Sequence, residues 1–498
     1  MKNPKYLLRI LQILTGVTIV AIVAMLFGFF SADFNGENAP RIRSSATKIK
    51  RQKLTGSQTY KELITNGDKE FLAKNLNDAL QMYQKASEIE PREELPYEKI
   101  GDIYFLQKNY NQAKQNFELA RSIEPEKSNL LLKIVRALLG QRKILDAQAE
   151  LEKITKPTDQ SLFYQGILAA FLNKQEQAKE LLKKASSAGT DADTKNGVQK
   201  ILNIYRDFEL EKDGRIEHLQ TLLAQAFDQI GEYGLAIELA FDALKTKNDY
   251  RDAWIVLGHA FLNEQKFFDA QDALTKAINL DTNHPAAFFY RGIAHKNLNK
   301  INEAIKDFEQ ALKLGFKPQI LPKFELAGLL FSQKKLAESF DLYSEVVTTD
   351  PSDITKFIRP IALAINHLKK PDQALSLAEK AMSAHPNSAM AYNLLGWAYM
   401  GMKDFGKARS NFEEALKRDP ELAAAYLNLG QLMQIQGNSA EAKKNYEKAA
   451  QFAEKANDEI SVAIFNTAQE KMLSLQTPVA NDANEPQTEK IMPSLSLE

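Results

Sequence analysis

The chain has 498 residues, 44% hydrophobic and 26% charged, a mix that builds folded bodies and, at this length, more than one compact core. Lys plus Arg (64) equals Asp plus Glu (64), so no global charge recruits nucleic acid or an anionic surface. The absence of cysteine excludes disulfides, thiolate metal sites and cysteine nucleophiles.

The N-terminus is the non-globular part. Residues 1–9 form a short basic flank with Lys2, Lys5 and Arg9. Residues 10–30, "ILQILTGVTIVAIVAMLFGFF", carry no charge, and at 1.5 Å per helical residue they span roughly 30 Å, one hydrocarbon thickness. This predicts a single transmembrane helix. A cleaved signal peptide is the alternative, but its apolar core should be shorter, and "FFSAD" and "GENAP" put Phe30 or Glu37 where a small residue is wanted. The basic flank against Asp33 and Glu37 on the other side predicts a cytoplasmic N-terminus and an extracytoplasmic body. Residues 31–59 are polar, contain Gly and Pro and lack apolar periodicity, so they read as a flexible linker with ends on the order of 30 Å apart.

From Tyr60 the pattern turns to amphipathic helices of about a dozen residues with short polar breaks. In "YNLLGWAYMGMKDFGKARSNFEEALKRDP", Gly396, Ala408, Ala415 and Pro420 take positions 8, 20, 27 and 32 of a unit starting at Ala389. Set 34 residues later, the same ruler finds Gly430, Ala442 and Ala449. Set at Glu94 it finds Gly101, Ala113, Ala120 and Pro125, with Tyr97, Tyr104 and Phe117 at the large positions 4, 11 and 24. Units begin at Tyr60, Glu94, Ser128, Asp159, Glu217, Arg251, Pro285, Ile320, Thr355, Ala389 and Ala423. The physical reading is a pair of antiparallel helices per unit. Small residues sit where the backbones approach, large ones fill the spaces alongside, and Pro ends the second helix. One pair cannot bury its apolar face alone, so successive pairs must stack.

The units resemble tetratricopeptide repeats over about 400 residues. The resemblance implies an all-α, right-handed α-solenoid of tetratricopeptide-like helix pairs, here preceded by the transmembrane helix. Several units depart from the motif. The third has Val135 and Ile154 at small positions and Pro157 two places early, and the eighth has Ser339 and Val346. We divide the body into an N-terminal array of about four repeats (60–190) and a C-terminal array of about seven (215–456). Between them, residues 191–214 have helical periodicity without the motif, and read either as a hinge or as a diverged repeat. Residues 457–476 read as a capping helix and 477–498 as a disordered tail.

No catalytic constellation emerges. The six histidines, His218, His259, His284, His295, His367 and His385, form no metal-ligand pattern, and there is no phosphate loop, GxGxxG or GxSxG. His295, at position 11, is expected to pack in the core. Neither an enzyme, a cofactor nor a small-molecule substrate is therefore expected. The resemblance instead implies a concave face made by positions 2, 5, 6, 9, 12 and 13 of each first helix. Here those positions hold Phe289, Tyr290, Phe324, Phe331, Arg359, Asn393, Trp397, Asn428 and Gln431, expected to form a groove for a protein or peptide partner, with Trp397 as an exposed anchor. Phe71, Phe105, Phe163 and Tyr164 suggest a second surface in the first array. The Lys and Asn that clamp a terminal carboxylate in some tetratricopeptide domains are missing: Ile64 and Asp68, Ile255 and His259, and Asn393 and Trp397 stand there. The expected function is a membrane-anchored scaffold; the alternative is an envelope-assembly or export factor that handles secreted clients.

Overall fold

The computed structural model describes residues 56–186, 190–212, 214–454 and 459–475. The expected membrane span, most of the linker and the expected disordered tail lie outside the described residues. Among the described residues every regular element is helical, and no helix is long and apolar enough to cross a membrane.

The helices pair in sequence. Glu94–Leu106 packs on Tyr110–Ile123, Pro285–Asn297 on Ile301–Lys313, Ala389–Gly401 on Phe405–Arg418, and Ala423–Ile435 on Ser439–Glu454. Each pair then packs on the next. The turn inside every pair closes on a left-handed residue at position 15. Nine of the eleven are not glycine, from Lys74 (φ 63°) to Lys403 (φ 62°), and two are Gly231 and Gly437. This residue lets the N–H of position 16 reach back to the first helix, as Asp404 does to the carbonyl of Tyr399 at 2.9 Å.

Position 8 and position 24 are complementary. A β-carbon on Gly101 would lie 2.4 Å from the Phe117 ring; the corresponding figures are 2.5 Å for Gly67 and Tyr83, 2.7 Å for Gly292 and Phe308, and 2.6 Å for Gly430 and Tyr446. The glycine is a socket for one ring. Where position 8 is larger, position 24 shrinks: Val135 stands with Leu151, Ala224 with Ala240, and Ala362 with Ala378. The eighth unit solves the problem differently. Ala327 keeps a full-sized partner, Tyr343, whose hydroxyl lies 3.3 Å from where a β-carbon on the neighbouring Gly328 would be. Ser339 at position 20 donates to the carbonyl of Ala327 at 2.8 Å, so its hydroxyl is satisfied inside the contact. Alanines at positions 20 and 27, such as Ala408 and Ala415, are fully buried.

Two units are irregular for local reasons. The third has a short second helix, Ile144–Leu151. The first helix of the ninth unit carries Pro360, which has no N–H to give and crowds the preceding turn. It splits into a 3-10 turn (Ile354–Phe357), an α segment (Ile358–Ala362) and a π turn (Leu363–His367).

Between the fourth and fifth units lies one unpaired helix, Ala192–Glu211. It buries Val198, Ile201 and Tyr205, and Gly197 lets the Phe163 ring approach to 2.7 Å of a would-be β-carbon. A final helix, Glu459–Ser474, packs on Ser439–Glu454 and buries Ala463, Ile464 and Ala468 at the end of the stack.

Candidate functional site

The inner-face positions are mostly engaged by their neighbours. Position 9 of one unit and position 6 of the next lie 31 residues apart and meet across adjacent first helices. Asp68 pairs there with Lys99 at 2.7 Å and Asp102 with Lys133 at 2.6 Å, while the rings of His259 and Tyr290 lie 4.5 Å apart. Lys133 also reaches Glu98 at 2.7 Å, and Lys127 reaches the same carboxylate at 2.6 Å. Burial alone would raise Glu98, but hydrogen bonds from the two lysines hold it below its ordinary range. A polar ladder thus lines this wall, its charges already matched.

Further along, Asp228 is buried and accepts from Asn263 at 2.9 Å, with His259 Nδ1 at 2.5 Å. His259 itself stays part-exposed with its ring beside Tyr290. His295 is buried as expected for position 11, yet it packs as a polar group: Nδ1 lies 2.8 Å from Asp307, which also takes two bonds from Arg291 at 3.0 and 2.7 Å. Burial opposes ionisation of Asp307, but the bonds from His295 and Arg291 prevail and lower its pKa. The sequence ruler placed His295 correctly and did not reveal its partners, because position 7, where Arg291 stands, is marked only for bulk and position 23, where Asp307 stands, is not marked at all.

The nine expected groove residues divide. Trp397 is 5% exposed, which corrects its expected exposure. The first helices of the tenth and eleventh units and the final helix close over it, so that Ile358, Asn393, Trp397, Asn428, Ile460 and Ile464 surround an apolar cavity of only about 30 Å³. Asn393 and Asn428 are buried with it and bond each other at 2.9 Å; Gln431 is buried too. Phe289 is also buried, stacked on Phe316 at 4.4 Å. The physical reasons differ: adjacent first helices and the final helix cover Trp397, Asn393 and Asn428, whereas Phe289 is covered within its own unit by Phe308 and Phe316. Tyr290, Phe324, Phe331 and Arg359 remain part-exposed. In this stretch Gly328 stands at position 9 of the eighth unit, with the Tyr343 hydroxyl 3.3 Å from the β-carbon it lacks, and Pro360 breaks the next helix. Phe324 packs edge-on against Tyr343 at 5.3 Å, and Arg359 Nη1 lies 3.5 Å from the Tyr343 hydroxyl.

The second expected surface, in the first array, divides: Phe71 and Phe105 remain part-exposed, while the other half is covered by the chain itself. Phe163 and Tyr164 are buried, and the Tyr164 hydroxyl donates to Glu232 at 2.8 Å. Among the described residues no group of three or more His, Asp or Glu side chains could hold a metal ion.

Stacked helix pairs with a lined inner face define an α-solenoid. Family profiles described as tetratricopeptide repeat match residues 96–127, 285–315, 389–422 and 411–444. The chain carries tetratricopeptide repeats. Among curated proteins it is similar to protein O-mannosyl-transferase TMTC3 of Mus musculus, 26% identical over 205 residues, covering 38% of this chain and 22% of the relative. It is also similar to anaphase-promoting complex subunit 3 of Schizosaccharomyces pombe, 22% identical over 193 residues, covering 38% and 28%. The chain spans less than a third of the length of these relatives. Among solved structures it is similar to YrrB, a TPR protein with an unusual peptide-binding site, at 19% identity and TM-score 0.34, covering 37% of this chain and 95% of that one.

Proposed function

We propose that the protein is a membrane-anchored scaffold that holds a protein or peptide partner against the inner face of its seventh to ninth units. One observation carries this reading. Where Phe289, Asn393, Trp397, Asn428 and Gln431 are buried, Tyr290, Phe324, Phe331 and Arg359 keep part of their aromatic surface and a guanidinium open to solvent while touching His259, Tyr343 and His367, next to a helix that Pro360 breaks. Aromatic and arginine side chains are the usual anchors of protein interfaces, since they offer large contact area or a planar set of donors at low entropic cost. The part-exposed His259 extends the same wall.

The anchor is residues 10–30, whose uncharged run matches a bilayer core, and the body lies on the extracytoplasmic side. A photo-crosslinking residue placed at Phe331 in the full chain, in living cells, tests the reading. A few discrete adducts that vanish with Arg359→Ala support a scaffold. A broad smear of adducts indicates instead a handler of many exported clients. No adducts at 331, with adducts from the exposed outer residue Leu119, would place binding on the convex face.

A further inference from the structure

The turn edge of the fifth and sixth units lies inside the groove of the first array. At the centre is Gly234, where a β-carbon would come within 2.0 Å of the Leu139 carbonyl oxygen. Around that contact the Tyr110 hydroxyl donates to Glu264 at 2.6 Å and the Tyr164 hydroxyl to Glu232 at 2.8 Å. Arg136 Nε lies 3.7 Å from Glu232, Lys108 Nζ sits 4.3 Å from the centre of the Tyr233 ring, and Arg142 pairs with Glu238 at 3.3 Å on the rim. These bonds join residues 68 to 154 positions apart. The side chains that would read an external segment, Arg136 and Tyr164 above all, are spent on the chain's own glutamates. What remains of this groove is a cleft of about 530 Å³, lined among others by Lys133, Arg136, Gln160, Asp193 and Glu232.

We propose that this contact is an autoinhibitory clasp: the turns of the fifth and sixth units act as an internal ligand that closes the groove of the second to fourth units, and its release opens that groove to a second partner. Three features make the clasp separable. Its polar bonds are hydrogen bonds and ion pairs, reaching from the turn residues Glu232 and Glu264 to Tyr110 at a helix start and to Arg136 and Tyr164 within their helices, which water can replace once the faces part. The two arrays are joined in sequence through one unpaired helix, Ala192–Glu211, which ends on the left-handed Lys212. Gly214, just beyond, has no neighbour within 4 Å of a would-be β-carbon, so the chain is unobstructed there. The clasp also selects by charge. Two tyrosine hydroxyls, Arg136 and Lys108 converge on two glutamates, so a competing partner must bring carboxylates.

The absence of cysteine makes the test direct. Spin labels on Leu119→Cys and Phe268→Cys, both exposed, report the separation of the second and sixth units by pulsed EPR in the full chain reconstituted in nanodiscs. The parent should give one narrow distance. Gly234→Val, which cannot keep the approach to Leu139, should move most of the population to longer distances, and Tyr110→Phe with Tyr164→Phe should move a smaller fraction. Amide exchange within residues 128–140 and 160–170 should then quicken at least tenfold while residues 389–435 stay protected. If Gly234→Val also unprotects residues 389–435, it has unfolded the protein, and the double tyrosine variant decides alone. A single unchanged distance in that double variant, or a parent already spread over long distances, overturns the clasp.

Discussion

Phe412 occupies the space that a side chain at residue 396 would need: its Cδ1 and Cε1 lie 2.7 Å from the β-carbon that Gly396 lacks. The ring is fully buried and the Ala408 carbonyl lies 3.1 Å from the same point, so neither side can yield freely. Gly396→Ala should therefore destabilise the tenth unit by about 1–3 kcal/mol, the ordinary cost of overpacking. Trp397 is the next residue and one of only two tryptophans, so the urea midpoint of its fluorescence reads the effect locally. Shrinking the ring with Phe412→Leu should recover part of the loss, giving a favourable coupling in a double-mutant cycle. A purely additive cycle would refute the socket.

The same pair shows what the sequence could disclose. Gly at 8 and a ring at 24 recur because they are two halves of one contact, and a contact repeated with the period of the chain leaves a periodic trace. The capacity of position 8 to grow when position 24 shrinks, as with Ala224 and Ala240, is legible by the same logic. Trp397 could not be placed this way. Its burial depends on how tightly the last first helices and the final helix close over it, and that curvature is set by many contacts outside the motif. The clasp was still less visible. Tyr110 and Glu264 stand 154 residues apart, and neither position is marked by the period. The break in the ninth unit was written plainly as Pro360, yet the regular ruler ran over it.

Asp307 gathers Arg291 and His295 in a buried cluster between the helices of the seventh unit. Asp307→Ala leaves the guanidinium without its counter-ion and should cost about 3–5 kcal/mol, whereas breaking a solvent-exposed pair such as Lys184 with Glu180 should change stability little. The folded-state pKa of Asp307 is depressed. Its stabilisation is thus present above the ordinary aspartate range and is lost as pH falls through the lowered value. The difference in stability between parent and Asp307→Asn should be greatest near neutrality and shrink in acid. Denaturant titrations at pH 7 and pH 3 check it; a difference that grows in acid would contradict the assignment.

Glu232 has the opposite sign. Burial raises its pKa, and the nearby Arg136, the Tyr164 hydroxyl and Lys108 only partly oppose this. The stability it adds to the clasp is complete below the ordinary glutamate range and is lost as pH rises through the elevated value. Glu264, Asp228, Tyr110 and Tyr233 face the same site, and burial pushes the two tyrosine hydroxyls up, away from mildly acidic to neutral buffers. Amide exchange at residues 128–140 should therefore slow as the buffer is acidified, after correction for intrinsic rates. Glu232→Gln, which keeps the shape without the charge, should flatten that dependence. A parent profile that is already flat would remove Glu232 from the account.

Trp397 and Phe331 provide the contrast that separates folding from binding. Both lie at inner-face positions, but Trp397 is sealed against Ile460 and Ile464 while Phe331 is part-exposed and touches His367 edge-on at 6.1 Å. Trp397→Ala should open a cavity between the last units and the final helix and cost about 3–5 kcal/mol, seen as faster amide exchange across residues 389–474. Phe331→Ala removes a half-covered ring and should change stability by less than about 1 kcal/mol. It should nonetheless abolish capture of partners by the full chain, and Arg359→Ala should weaken the same capture. Partner loss in the tryptophan variant would then follow from local unfolding, and a small molecule or osmolyte that restores protection should restore binding. Were Trp397→Ala to leave exchange untouched while eliminating capture, the ring would belong to the partner after all, and the final helix would have to lift away from it on binding.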